Sequence, residues 1–168
     1  RRLKFKQPAL LFLLLAFWQP FSDKSELSFY STDLKQNVES AFVESLEGAK
    51  ESIHLSVYAL TDSKVLAALK RQAESGVKVE VIADKATDPQ LAKKLGPKIQ
   101  TTLIEGRGLM HHKMTVIDSS TSWLGSANYT GESLRVHSNL MQKIASKELS
   151  ALLLKKMASL KSNGAKVK

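Results

Sequence analysis

The chain predicts an α/β fold, a mixed and largely parallel β-sheet flanked by helices, on the strength of three observations. Ser52–Tyr58 alternates polar and apolar residues, Val77–Ala83 does the same, and the residues between them repeat apolar positions at helical spacing. A strand–helix–strand unit of this length is what a parallel strand pair requires. Two more amphipathic stretches, about 33–50 and 146–160, would cover the faces of such a sheet. At 168 residues the chain has the length for one domain with a sizeable core.

Residues 1–22 stand apart from that domain, which is expected over 23–168. A basic Arg1–Lys6 precedes the unbroken apolar run Pro8–Trp18, the order of a secretory signal. The run is short for a spanning helix, which needs roughly 20 residues. No small-x-small cleavage site follows, so the expectation is export, with the segment either retained as a membrane anchor or removed. After it come a short strand at Leu27–Tyr30 and a helix from about Asp33 to Lys50 striped by Val38, Phe42, Leu46 and Ala49. Then come the Ser52–Tyr58 strand, a helix opened by Thr61-Asp62-Ser63 and stopped at Gly76, and the Val77–Ala83 strand. Lys85–Gln100 reads as a basic connection with a helical piece at Leu91–Leu95, and Thr101–Ile104 as a strand. Glu105–Gly108 is a turn leading into a buried strand at Met114–Ile117. Residues 129–137 read as a loop or short helix and Asn139–Ala145 as a strand. The closing helix, Ser146 to about Leu160, is expected to turn Leu149, Leu152, Leu153, Met157 and Leu160 inward, with Lys161–Lys168 as a frayed tail.

The net charge is +9, and Arg1, Arg2, Lys4 and Lys6 supply four of those charges. The remaining excess favours polyanionic partners without identifying one. The chain has no cysteine, which excludes disulfides, thiolate catalysis and cysteine-ligated zinc within it.

One stretch concentrates chemistry. His111-His112-Lys113 precedes the apolar strand, Asp118 follows it, and Gly125-Ser126-Ala127-Asn128 comes soon after. Strand parity puts His111 and Lys113 on one face and His112 and Asp118 on the other. Ser126 and Asn128 share a parity beyond a glycine, where the backbone can turn or approach a ligand closely. An imidazole, an ammonium, a hydroxyl and an amide are thus available to converge on one anion.

The spacing H-x-K-x4-D-x6-G-S-x-N resembles the HKD signature of the phospholipase D superfamily. The stretch Ala49–Asp84 also resembles the first half of its small single-HKD endonucleases, of Nuc and Zucchini type, so the likeness covers roughly Leu27–Ile144. An apolar, exported N-terminus further resembles the membrane-attached NucT type linked to DNA uptake. What the resemblance implies is a phosphodiesterase with His111 as nucleophile, forming a phospho-histidine. Lys113, Ser126 and Asn128 would hold the non-bridging phosphate oxygens. Asp118 is expected to support the site without acting as acid or base.

An in-line displacement needs a second group to protonate the leaving oxygen, and one imidazole cannot occupy both sides of phosphorus. One HKD per chain therefore implies a homodimer with two copies of His111 at a shared site. No carboxylate cluster surrounds the motif, so neither a metal nor a cofactor is expected. The chain departs from the small nucleases in one respect. They carry a glutamate in an Asn-x-Glu-Asn context that orients the nucleophile, and here the matching stretch is Val136-His137-Ser138-Asn139. Asn139 or Glu132 is the expected substitute. His54 and His137 receive no catalytic role. Nucleic acid, single-stranded DNA above all, is the expected substrate, with a phospholipid head group and a non-catalytic nucleic-acid-binding role as the alternatives.

Overall fold

The computed structural model describes residues 26–105 and 110–164, so the N-terminal segment 1–22, the turn at 106–108 and the last four residues lie outside it. Seven strands and five helices follow in the order β1 (Glu26–Ser31), α1 (Val38–Glu47), β2 (Ser52–Val57), α2 (Ser63–Glu74), β3 (Lys78–Asp84), α3 (Leu91–Leu95), β4 (Gln100–Ile104), β5 (Lys113–Ile117), β6 (Thr121–Gly125), α4 (Gly131–Arg135), β7 (Leu140–Ala145) and α5 (Lys147–Gly164). They form one open sheet in the order β1-β7-β6-β5-β2-β3-β4.

The sheet is mixed, as expected, but parallel pairing is confined to β2-β3-β4. The four pairings β2–β5, β5–β6, β6–β7 and β7–β1 are antiparallel, which corrects the expectation of a largely parallel sheet. The cause is local. Asp118 and Ser119 both adopt positive φ, 49° and 51°, and Ser120 N donates to Ile117 O at 3.1 Å. Positive φ at both central residues is the hairpin solution that matches strand twist. It reverses the chain after β5 and creates β6, a strand not expected from the sequence.

Each face of the sheet has its own apolar layer. On one, α1 and α2 cover Ile53, Leu55, Val57, Val79, Val81 and Ile117 with Phe42, Leu46, Val65 and Leu69. Phe42 sits 5.3 Å from the Trp123 ring and 4.5 Å from Tyr129, and all three are fully buried. Removing a side chain so placed costs about 3–5 kcal/mol. α1 starts later than expected because Asn37 caps it, its Oδ1 accepting from Ser40 N at 2.9 Å, while 33–36 turns with Lys35 at φ 56°. On the other face α5 runs against β4, β5 and β6, and Met157 packs among Ile82, Met114 and Val116.

Two expectations for α5 need correction. Leu152 is 66% exposed, because it lies about 200° around the helix from buried Ser150. The helix also continues past Leu160 to Gly164, and Lys161 pairs with Glu80 on β3. No helix among the described residues is long and apolar enough to cross a membrane.

Candidate active site

The ends of β2 and β5 lie side by side, Val57 opposite Lys113 and Tyr58 N donating to His112 O at 2.8 Å. This pairing brings three side chains together where the strands finish. The Tyr58 and His111 rings stand 5.0 Å apart between centroids, tilted by 66°. Lys113 Nζ lies 5.6 Å from the centre of the Tyr58 ring and 3.5 Å from His111 O. Burial lowers the Lys113 ammonium's pKa from its ordinary value. His111 itself is exposed.

The backbone before and beside His111 is held firmly. Asp84, buried at the end of β3, accepts from Met110 N at 2.9 Å and from Ala86 N at 2.9 Å. Thr87 Oγ1 donates to Tyr58 O at 2.8 Å, tying the β3–α3 connection to the same place.

The Gly-Ser-x-Asn segment is set beside residues 59–62 by a short parallel bridge between Leu60 and Tyr129. Tyr129 N donates to Ala59 O, and Tyr129 O accepts from Thr61 N and Asp62 N, each at 3.0 Å. The Tyr129 side chain is wholly buried and its hydroxyl meets Thr115 Oγ1 at 2.7 Å, so burial pushes its phenol pKa up. Gly125 has no alternative, since a Cβ there would stand 2.2 Å from Leu140 O. Ser126 Oγ donates to Asn139 Oδ1 at 2.7 Å and accepts from Leu140 N at 3.1 Å. Asn128 Oδ1 is buried and has no hydrogen-bond partner among the described residues.

The other sequence-predicted residues fall elsewhere. Asp118 sits at the far end of β5, separated from Lys113 by about 17 Å of extended chain. Its carboxylate accepts from Lys50 N, Glu51 N and Ser52 N at 2.8–2.9 Å. Burial alone would raise its pKa, but those three amides hold it below the usual carboxylate value. The strand end separates it from the catalytic candidates, where the sequence had assigned that separation to strand parity. Asn139 is committed to Ser126 and, through Nδ2, to Ser133 O at 2.9 Å; no hydrogen bond joins Asn139 or the exposed Glu132 to the His111 ring among the described residues. Glu132 contributes its backbone carbonyl, which accepts from Val136 N and His137 N. His54 lies back along β2 and meets Glu80 at 3.3 Å; burial lowers its pKa, and Glu80 only partly offsets that. Glu80, despite burial, is brought down to about 2, chiefly by Lys161 and Lys78. His112 is half-buried with Nδ1 unpartnered, and burial followed by the charges of Lys156, Lys113 and His111 lowers its pKa. His137 is exposed.

Sequence reasoning missed two contributors. Tyr58 was visible only as the end of a strand, and nothing local marks its ring as a neighbour of His111. The second is a buried charge cluster. Glu39 of α1 and Asp62, the cap of α2, are both buried, and Arg135 of α4 pairs with both, its distance to Asp62 being 3.0 Å. Lys64 pairs with Glu39 too. Burial would raise the Glu39 carboxyl, but hydrogen bonds with Lys64, Asp62 and Arg135 bring it below its ordinary value. The cluster pins α4, and with it the segment after Asn128, to the starts of α1 and α2.

An imidazole and an ammonium thus stand at adjoining strand ends, and a hydroxyl and an amide lie on a segment bridged to the residues that follow β2. Residues 42–161 match the family described as "Cardiolipin synthase, PLD-like domain", and the chain belongs to that family, within the phospholipase D superfamily. It is 34% identical over 92 residues to a phospholipase D of Rickettsia typhi, across 52% of this chain and 45% of that protein, so it spans less than half of that relative's length. Two solved structures share the fold. NucT from Helicobacter pylori has a TM-score of 0.75 at 20% identity, over 82% of this chain and 96% of the other. Nuc from Salmonella typhimurium, described as a phospholipase D family member, has 0.74 at 18%, over 82% and 94%.

Proposed function

We propose that the protein is a metal-independent phosphodiesterase that cleaves nucleic acid, preferring single-stranded DNA, through a phospho-histidine on His111. The observation that carries this reading is that the exposed His111 imidazole and the Lys113 ammonium both adjoin the Tyr58 ring, at 5.0 Å between centroids and 5.6 Å from its centre. The imidazole attacks phosphorus, the P–N bond forms as the P–O bond to the leaving strand breaks, and Lys113 offsets the charge that gathers on the non-bridging oxygens. Ser126 and Asn128 supply further polar groups to those oxygens. The leaving oxygen takes its proton from His111 of a second copy, which completes the site in a homodimer. That second imidazole then takes a proton from water, which cleaves the P–N bond. The N-terminal segment 1–22 exports the domain and holds it at a membrane, where taking up DNA is the fitting role.

The basic excess supports a polyanionic substrate, and the shared fold with NucT and Nuc supports a nucleic acid. The relative named phospholipase D favours a lipid phosphodiester as the second reading. The deciding experiment incubates purified protein, with chelator, on single-stranded DNA, duplex DNA, RNA and phospholipid vesicles, with His111→Ala as control. DNA cleavage lost in the control supports the first reading. Lipid turnover without nucleic-acid cleavage establishes the second, and binding without turnover of any substrate reduces the protein to a binding module. Loss of cleavage on chelation overturns the metal-free mechanism.

A further inference from the structure

The proposed nucleophile needs something to fix its ring, and among the described residues no hydrogen bond reaches the His111 imidazole. What does reach it is an aromatic face. Tyr58 stands 5.0 Å from His111 with the rings inclined at 66°, inside the range of an edge-to-face pair. The same ring has Lys113 Nζ at 5.6 Å, within reach of a cation–π contact. One side chain thus touches both groups on which the chemistry depends.

The backbone of Tyr58 is held on three sides. Its N–H donates to His112 O at 2.8 Å and its carbonyl accepts from Thr87 Oγ1 at 2.8 Å, and the next carbonyl, of Ala59, accepts from Tyr129 N at 3.0 Å. The backbone that carries the ring cannot shift without breaking contacts to β5, to the β3–α3 connection and to the Gly-Ser-x-Asn segment. Its hydroxyl makes no hydrogen bond among the described residues, so the ring and not the phenol makes the contact.

We infer that Tyr58 is the positioning residue of this site: its ring orients the His111 imidazole and seats the Lys113 ammonium, a task given to neither Asn139 nor Glu132. The inference rests on the proposed role of His111 as nucleophile. Misplacing a reacting group by about 1 Å costs about a hundredfold in rate, and that is the expected loss of kcat in Tyr58→Leu, with KM changed less than about threefold. Tyr58→Phe keeps the ring and is expected to stay within about threefold of the parent in both constants.

The second readout needs no substrate. In the full protein with isotope-labelled histidine, the His111 ring protons carry a ring-current shift from Tyr58 that Tyr58→Phe retains and Tyr58→Leu abolishes. Parent-like kcat in Tyr58→Leu, or a fall in Tyr58→Phe as deep as in Tyr58→Leu, overturns the inference while leaving the nuclease reading intact. His111 resonances unmoved by Tyr58→Leu overturn it too. A parent that cleaves no nucleic acid sinks the nuclease reading, and the spectra alone then decide whether Tyr58 holds the imidazole. Should Tyr58→Leu fail to fold, Tyr58→Met supplies a non-aromatic side chain of comparable bulk for the same two measurements.

Discussion

The two ends of β5 carry opposite polar chemistry. At Asp118 every demand is met: both carboxylate oxygens accept from backbone amides, three in all, and the turn they brace has the positive φ that a short polar side chain tolerates. At the other end, among the described residues, the His111 ring has no hydrogen bond, Lys113 Nζ reaches only a carbonyl at 3.5 Å, and His112 Nδ1 and Asn128 Oδ1 are buried unpartnered. Buried polar groups are satisfied in the great majority of cases, so the two left open, His112 Nδ1 and Asn128 Oδ1, set this end of the strand apart. The three letters of one signature therefore divide into a saturated brace at Asp118 and, in the proposed mechanism, a reaction centre at His111 and Lys113.

Substitutions at the two ends should separate rate from stability. The largest effect belongs to His111→Ala, expected to lower kcat roughly 10⁴-fold or more with no change in the denaturant midpoint, as measured by single-turnover cleavage and urea unfolding. Lys113→Met should follow, losing about 10²–10³-fold in kcat while unfolding at the same midpoint or slightly higher, since a partly buried charge is gone. Asp118→Asn should reverse the pattern: the folded protein keeps its rate but loses about 2 kcal/mol of stability, because charge-assisted bonds to amides weaken. A fall in kcat without a fall in stability would erase the division between the two ends.

The same contrast extends to pH. Asp118 has a folded pKa below its unfolded value, so its contribution is full above about 3.9 and is lost as pH falls through the lowered folded value. His112 and His54 are also lowered by burial, so the unfolded imidazoles take up protons first. Stability should be level above about pH 6.5 and decline as pH drops below it, and the double variant His54→Asn/His112→Leu should flatten that slope in urea titrations. The smallest effect is expected at Ser126→Ala, about tenfold in kcat, with about 1 kcal/mol lost because Asn139 and Leu140 N lose their shared hydroxyl.

Periodic elements were legible in the sequence because burial imposes periodicity. The stripe Val38, Phe42, Leu46 is fully buried as expected, and the helical piece Leu91–Leu95 falls where the sequence placed it. β6 was missed because its hairpin turns on Asp118-Ser119, with no glycine to announce positive φ. That omission also hid two of the four antiparallel pairings, β5–β6 and β6–β7. Motif spacing singled out His111, Lys113, Ser126 and Asn128. It could not show what stands beside them, because Tyr58 comes from another strand and the cluster joins Arg135 to Glu39 and Asp62 across 96 and 73 residues of sequence.

The bridge between Leu60 and Tyr129 has a kinetic meaning. It joins the parallel half of the chain to the antiparallel half across a long sequence separation, so it closes late in folding, after local strands and helices have formed. Leu60 and Tyr129 are also fully buried, so the amides of Thr61, Asp62 and Tyr129, all donating across that seam, should be among the slowest in this region to exchange with solvent. The Gly-Ser-x-Asn segment then stays docked on the end of β2 until the core itself opens, and the site lasts as long as the fold.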